Sequence, residues 1–152
     1  MAPRHLRTIV ATALVLATAP LLTSCSSVQL AFGSTAGGAF AAIDEFRADD
    51  ALPAPSWVPD DASSIRYTTD LGDHASILMY QSATHFAPGT CDLMSPAASS
   101  TAVSDGVPLN DSWWPDAIPD VLFGCEDGWK AFADGDTVYA FTLGSPSDAP
   151  AS

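Results

Sequence analysis

The chain has 152 residues, with 18 acidic against five basic residues and a formal net charge of −13, and its length accommodates one domain. A chain this acidic gains no affinity by releasing counterions from a phosphate backbone, so nucleic acid is excluded as a partner. The same sign of charge excludes electrostatic adhesion to anionic lipid.

The first 24 residues have the layout of an export signal. Arg4 and Arg7 precede an uncharged, mostly aliphatic stretch over residues 8–22, and a basic start followed by about 7–15 apolar residues is typical of secretory signals. An uncleaved anchor is the less favoured alternative, because a membrane-spanning helix needs about 20 apolar residues. Ordinary secretory cleavage after Ala19 is also less favoured, since it places Pro20 directly after the cut.

The sequence Leu22-Thr23-Ser24-Cys25 resembles the lipobox of bacterial lipoproteins. In that family a diacylglyceryl group alkylates the cysteine thiol, the chain is cut just before the cysteine, and the new amine often receives an acyl chain such as palmitate. The resemblance therefore implies a signal peptide over residues 1–24 and a lipid anchor at Cys25, on the extracytoplasmic face of the cell membrane. The cleaved chain keeps three basic residues against all 18 acids, a net charge of −15.

A lipidated tether is expected over residues 25–56. This segment opens on a run rich in Ser, Gly, Ala and Thr and closes on the proline-containing sequence DDALPAPS, and both compositions are typical of linkers. Between them, Phe40, Ile43 and Phe46 are spaced three residues apart among charged residues. That spacing predicts a short amphipathic helix over residues 39–48.

The folded unit is expected over residues 57–143, followed by a disordered tail over residues 144–152. Alternating β-branched and aromatic residues predict strands at 64–69 and 75–81. The turn-forming residues at 70–73 join these two strands into a hairpin.

The C-terminal third carries the clearest strand pattern. Two Asp-Gly pairs separate strand-like runs at residues 121–125, 129–133 and 137–143, which predicts a three-strand antiparallel meander. The region 84–112 is rich in Pro, Gly and small residues, so it is expected to be irregular. The predicted fold class is therefore α+β and mainly β, with an antiparallel sheet of about five strands, one short N-terminal helix and one disulfide.

Cys91 and Cys125 form an even pair once Cys25 carries lipid. An exported protein meets an oxidising compartment, so this pair predicts a disulfide. Its loop of 35 residues, counting both cysteines, is expected to contribute about 3–4 kcal/mol in the chain-entropy model. A thiolate metal pair is the alternative, and it requires a close spacing such as C-x-x-C that the sequence lacks.

The order of features along the chain is also similar to that of small uncharacterised lipoproteins of high-GC Gram-positive bacteria. The features that carry this resemblance are a WVPDDA segment starting at Trp57, a hairpin, the lone Cys91, the Trp113-Trp114-Pro115 segment, and Cys125 before a terminal strand. The resemblance implies no activity.

No catalytic residue, cofactor or metal is predicted. The motifs G-x-S-x-G, S-x-x-K and H-E-x-x-H are absent from the sequence. Ser82, His85 and Asp73 can be grouped as a triad, but serine and aspartate are so common here that the grouping carries little information. His74, after a turn, is expected to be solvent-exposed, and His85 is expected at the surface or partly buried.

The acidic turns at residues 126–127 and 134–136 could converge on calcium. Alternate turns of a meander lie at opposite ends of the sheet, however, which argues against that convergence. Asp beside Gly is also ordinary turn chemistry, so no calcium site is predicted there.

The adjacent Trp113 and Trp114 provide the candidate binding site. Neighbouring side chains of an extended segment point to opposite faces, so one indole is expected to be at least partly exposed. Together with Asp111 and Asp116, that indole is a candidate site for a cation, a sugar or a basic partner surface. The alternative is that a loop covers both indoles.

These features predict a non-catalytic, lipid-anchored binding or interaction module for an envelope protein or a glycan. A small hydrolase acting on cell-wall or carbohydrate material is the alternative, and a structural envelope protein without a small ligand is a third class. A concave pocket containing His74 or His85 with a carboxylate would favour the hydrolase.

Overall fold

The computed structural model describes residues 34–144, so the predicted signal peptide, Cys25 and nearly all of the predicted tail lie outside the described residues. Seven strands form one sheet in the order β1-β2-β3-β7-β6-β5-β4, with every neighbouring pair antiparallel. The strands are β1 (Thr35–Ala42), β2 (Ser63–Asp70), β3 (Ser76–Gln81), β4 (Cys91–Leu93), β5 (Phe123–Cys125), β6 (Lys130–Asp134) and β7 (Thr137–Thr142). The helices are α1 (Ile43–Arg47) and α2 (Pro96–Asp105). The protein is mainly β, as predicted, but the sheet has seven strands rather than about five.

The first strand lies in the segment expected to be a tether. β1 pairs with β2 from Thr35 opposite Asp70 to Ala42 opposite Ser63, so the folded unit extends well before Trp57. The small uncharged residues of this segment are typical of a linker, but here they form a strand that packs closely against its neighbours. A Cβ at Gly38 would lie 2.8 Å from the ring of Phe40.

The helix α1 is shorter than the predicted helix over residues 39–48, because residues 39–42 belong to β1. The apolar spacing nevertheless identified core positions, since Phe40, Ile43 and Phe46 are all buried. Phe40 and Phe46 pack together with ring centroids 5.0 Å apart. Strand and helix thus bury their side chains in the same core.

The predicted hairpin and meander are both confirmed. β2 and β3 pair as an antiparallel hairpin, and β5, β6 and β7 pair in sequence order. Asp127, Gly128 and Gly135 have positive φ, at 56°, 77° and 59°. The loops differ from two-residue Asp-Gly turns, because the first spans residues 126–128 and the second consists of Gly135 and Asp136, after Asp134 pairs with Thr137.

The region 84–112, expected to be irregular, contains β4 and the ten-residue helix α2. The helix escapes sequence patterning because its residues, PAASSTAVSD, are small and bury only Ser99 and Ala102. Its end signals are ordinary. The Ser95 side chain accepts a hydrogen bond from the Ala98 N–H at 3.3 Å, and Gly106 ends the helix with φ 76°.

Two covering layers enclose the sheet. The first face is covered by α1 and residues 49–62, and its core includes Leu52, Trp57 and Tyr80. The second face is covered by α2 and residues 106–122, above a core that includes Ile77, Phe132 and Phe141.

Candidate functional site

Cys91 and Cys125 form the predicted disulfide, with their Cα atoms 4.1 Å apart. The two residues are direct cross-strand partners in the β4–β5 pair. The bridge therefore closes the segment that carries α2 and both adjacent tryptophans, and it holds this cover at the edge of the sheet.

Trp114 is the inward member of the tryptophan pair. Its ring meets Phe132, Tyr139 and Phe141 edge-on, with centroid distances of 6.2, 5.8 and 6.2 Å. The ring of Trp113 contacts Trp114 at 6.0 Å. Both indoles are half-buried and pack against the same core on the second face. Residues 112–114 form a turn, with the Trp114 backbone N–H bonded to the Asp111 carbonyl at 3.0 Å, so the segment is not extended and the two side chains do not point to opposite faces.

The structure divides the predicted binding patch into two concavities. Trp113 and Asp111 line the Trp113 trough, a depression of about 290 Å³ bounded by Thr35 to Ala39, Arg66 and Thr68. Trp114 and Asp116 line a separate hollow of about 360 Å³ with Val107, Leu109 and Ile118. Asp111 and Asp116 therefore do not form one acidic ring around one indole.

Asp111 is held in place by short-range hydrogen bonds. Its carboxylate accepts from the Ser112 N–H at 2.6 Å and from the Thr68 hydroxyl at 3.3 Å. The second bond joins the Trp-bearing loop to β2. Asp111 consequently keeps a fixed position on the rim of the Trp113 trough.

A larger concavity on the first face was missed by the sequence reasoning. The Tyr67 groove, of about 710 Å³, lies between the strands and the proline-containing segment 51–56. Its lining includes Pro53, Pro55, Leu71, Trp129, Thr142 and Gly144. These residues come from four distant parts of the chain, so no local sequence motif indicates the groove.

A directed chain of hydroxyl groups forms part of this groove. The Tyr67 hydroxyl donates to Ser76 Oγ at 3.1 Å, Ser76 donates to Thr69 Oγ1 at 2.8 Å, and Thr69 donates to the Ala75 carbonyl at 3.3 Å. Each hydroxyl has one proton, so all three protons are used inside the protein. Tyr67, Thr69 and Ser76 are buried, at 5%, 9% and 2% exposure, so this hydroxyl chain joins β2 to β3 beneath the groove.

The Tyr67 groove also contains a histidine and a carboxylate, His74 and Asp127. This is the combination that would favour a hydrolase. His74 lies in the exposed turn between β2 and β3 with φ 62°, and its backbone N–H donates to the Asp70 carbonyl at 3.1 Å. Ser76 also lines the groove, but it is only 2% exposed and its hydroxyl is bonded to Tyr67, to Thr69 and to the His74 backbone carbonyl.

Ser82, His85 and Asp73 are not brought together as a triad. The Ser82 hydroxyl donates to Asp61 at 2.7 Å. His85 Nε2 lies 3.0 Å from the Gly135 carbonyl oxygen, and because a carbonyl only accepts, this nitrogen carries the proton. Asp73 is in the β2–β3 turn. His85 is thus half-buried, as expected, and acts as a loop support.

Asp61 fixes the loop that follows β3. Its carboxylate accepts from the Ser82 hydroxyl at 2.7 Å, from the Ala83 N–H at 3.1 Å, and from the N–H and hydroxyl of Thr84, each at 3.1 Å. These hydrogen bonds, with that of Ser82 the largest cause, lower the pKa of the Asp61 carboxyl from its ordinary value.

The acidic turns of the meander lie apart. One turn, at residues 126–128, precedes β6 and the other, at residues 135–136, follows it, so the two are at opposite ends of that strand. Across residues 34–144, no three His, Cys, Asp or Glu side chains are grouped so that they could hold a metal ion.

Comparison with known proteins adds no family to this description. No protein-family model matches the chain, and neither a curated protein nor a solved structure gives a significant match. Among the described residues, no helix is both long and apolar enough to span a membrane.

Proposed function

We propose that this protein is a lipoprotein, anchored through Cys25 to the extracytoplasmic face of the cell membrane. The support is the sequence Leu22-Thr23-Ser24-Cys25 behind a basic start and a short apolar stretch. Two or three acyl chains on Cys25 give stable anchoring, whereas one chain gives only marginal binding.

We further propose that the folded unit is a non-catalytic binding module for an envelope glycan or protein. The observation that carries this proposal is the Tyr67 groove. Its volume of about 710 Å³ falls within the range of about 300–1,000 Å³ typical of ligand sites. The groove lining combines apolar residues such as Pro53 and Leu71 with polar ones such as His74 and Thr142, which suits a ring or chain that has both apolar and hydroxyl faces.

Titration of the full-length protein with soluble peptidoglycan fragments, followed by amide NMR shifts, tests the groove. We expect shifts to cluster at residues of β2, β3 and the segment 51–56. Ala51→Trp fills the rim of the groove and should weaken binding about tenfold, equivalent to about 1.4 kcal/mol. Ala98→Trp, on the exposed side of α2, should leave binding unchanged. Equal effects of the two variants would contradict the proposed site.

A small hydrolase acting on cell-wall or carbohydrate material is the second candidate. The specific observation in its favour is that His74 and Asp127 line the same groove. Incubation of the protein with the same peptidoglycan fragments separates the two functions. Release of reducing ends from the fragments, lost in His74→Gln, would establish the hydrolase. Binding without release of reducing ends supports the binding module.

A further inference from the structure

The two edges of the sheet are unequal. β4 forms one edge with three residues, joined to β5 by the disulfide. β1 forms the other edge with eight residues, TAGGAFAA, and contains neither a charged residue nor a proline. Natural edge strands are usually kept short or protected by charges, prolines or bulges. β1 is not short, and along its length it has no charged residue and no proline.

The hydrogen bond at the start of β1 shows which of its residues face β2 and which face outward. The Leu71 N–H donates to the Ser34 carbonyl at 2.6 Å, so even-numbered residues at this end of β1 face β2. Gly37 and Ala39 therefore direct their N–H and C=O groups outward. The next outward position agrees, because the Ala41 N–H is bound by the Glu45 carboxylate at 2.9 Å. Among the described residues, no strand covers this edge.

The outward backbone groups lie beside the Trp113 trough. Gly37 is opposite Thr68 in the β1–β2 pair, so both occupy the second face. Side chains of directly opposed residues on adjacent strands lie about 4.5–5.5 Å apart at Cβ. Because Gly37 has no side chain, a residue of an added strand opposite Gly37 can reach over it toward Trp113 and Asp111.

Charge identifies the side chain that fits this position. An indole face and a carboxylate at one rim both attract a cation, and they are supplied by Trp113 and Asp111. Arg66 is opposite Ala39, which is two residues beyond Gly37 and the next position of β1 on the same face. The adjacent ligand position therefore suits a neutral or acidic side chain, while the position opposite Gly37 suits Lys or Arg.

We propose that β1 accepts an extended segment of a partner protein as an eighth strand, with a Lys or Arg of that segment opposite Gly37 and in contact with Trp113 and Asp111. This proposal is independent of the Tyr67 groove, which lies on the other face. A second copy of this chain is the less favoured occupant. Residues 34–144 carry 17 acidic residues against Arg47, Arg66 and Lys130, so two copies repel each other.

The test uses capped heptapeptides and the full-length protein, followed by fluorescence anisotropy. The probe is Thr-Val-Thr-Lys-Thr-Val-Thr, and its control has Glu in place of Lys. We expect the Lys peptide to bind about tenfold more tightly, because a cation–π contact and an exposed ion pair contribute about 0.5–1 kcal/mol each. Equal binding of the two peptides, or no binding of the Lys peptide at millimolar concentration, overturns the proposal.

Backbone pairing is tested with two N-methylated forms of the Lys peptide. One is methylated at residues 2, 4 and 6, and the other at residues 3 and 5. An added strand bonds β1 along one of its edges only, so one form should lose binding and the other should retain it. Similar affinities for both forms would show that no strand is added.

Two protein variants locate the site. Asp111→Asn keeps the shape of the rim and should remove most of the preference for Lys over Glu. Asp116→Asn, in the neighbouring hollow, should retain that preference. Ala39→Pro removes the outward N–H and should abolish binding, with circular dichroism as the folding control. A dimer of the protein alone that the peptide does not dissociate assigns the edge to a second copy and overturns the proposal.

Discussion

Truncation of the two adjacent tryptophans should have unequal costs. Trp114 meets three aromatic rings edge-on at 5.8–6.2 Å, and each such pair contributes about 0.5–1.5 kcal/mol beyond the area it buries. Full truncation of a core aromatic costs about 3–5 kcal/mol. Because Trp114 is half-buried, Trp114→Ala should lower the free energy of unfolding by about 3 kcal/mol, at the lower end of that range. Trp113 has one ring contact, so Trp113→Ala should lower the free energy of unfolding by about 1 kcal/mol.

Urea denaturation of the full-length protein, followed by far-ultraviolet circular dichroism, measures both values. With a slope of about 1.5 kcal/mol/M, Trp114→Ala should shift the midpoint by about 2 M and Trp113→Ala by less than about 1 M. Iodide should quench a smaller fraction of the fluorescence in Trp113→Ala than in the wild type. Equal losses of stability in the two variants would refute the inward assignment of Trp114.

Three further predictions concern the anchor, the disulfide and pH. Cys25→Ser should leave the precursor uncleaved and unlipidated, and intact mass with membrane fractionation would expose a processed variant as contrary evidence. Replacing both Cys91 and Cys125 by Ala should cost about 4 kcal/mol for a 35-residue loop, measured by urea denaturation; two free thiols in freshly isolated wild type would refute the bridge. Hydrogen bonds lower the folded-state pKa of Asp61, so its contribution is full above the ordinary pKa of 3.8 and is lost as pH falls through the lower folded value. Asp61→Asn should therefore flatten the loss of stability in acid, and an unchanged acid limb in pH-dependent melts would contradict this account.

The parts of the fold that sequence reasoning predicted are those with local signals. The β2–β3 hairpin follows from alternating side chains around a turn, and the meander follows from Asp-Gly pairs between apolar runs. The disulfide was predicted from the even cysteine number and the expected oxidising compartment. Each of these arguments uses residues that are near one another in sequence or are few in kind.

β1 and α2 could not be predicted in the same way. Both consist mainly of small residues, whose side chains provide little apolar periodicity. Their positions depend on partners elsewhere, since β1 needs the ladder to β2 and α2 covers an aromatic core formed by distant strands. Tertiary contacts therefore override a composition that is typical of linkers.

The candidate sites also differ in whether a local sequence signal indicates them. Adjacency in an extended segment predicted that Trp113 and Trp114 would point to opposite faces, but residues 112–114 form a turn and both indoles pack on the second-face core, each beside a different concavity. The Tyr67 groove arises only when the segment 51–56 crosses strands formed later in the chain. Its hydroxyl chain requires the β2–β3 register to bring Tyr67, Thr69 and Ser76 together, and no motif in the sequence encodes that register.

The pairing of β3 with β7 has a consequence for how the chain folds. It joins the hairpin half of the sheet to the meander half through partners 56 to 66 residues apart, from Gln81 opposite Thr137 to Ser76 opposite Thr142. Closing so long a loop is entropically slow compared with forming either half. Because Cys91 and Cys125 lie beyond this junction, oxidation can precede the docking of the halves. Until β7 docks, β3 therefore has an open edge, and a competing strand can pair with it during this interval.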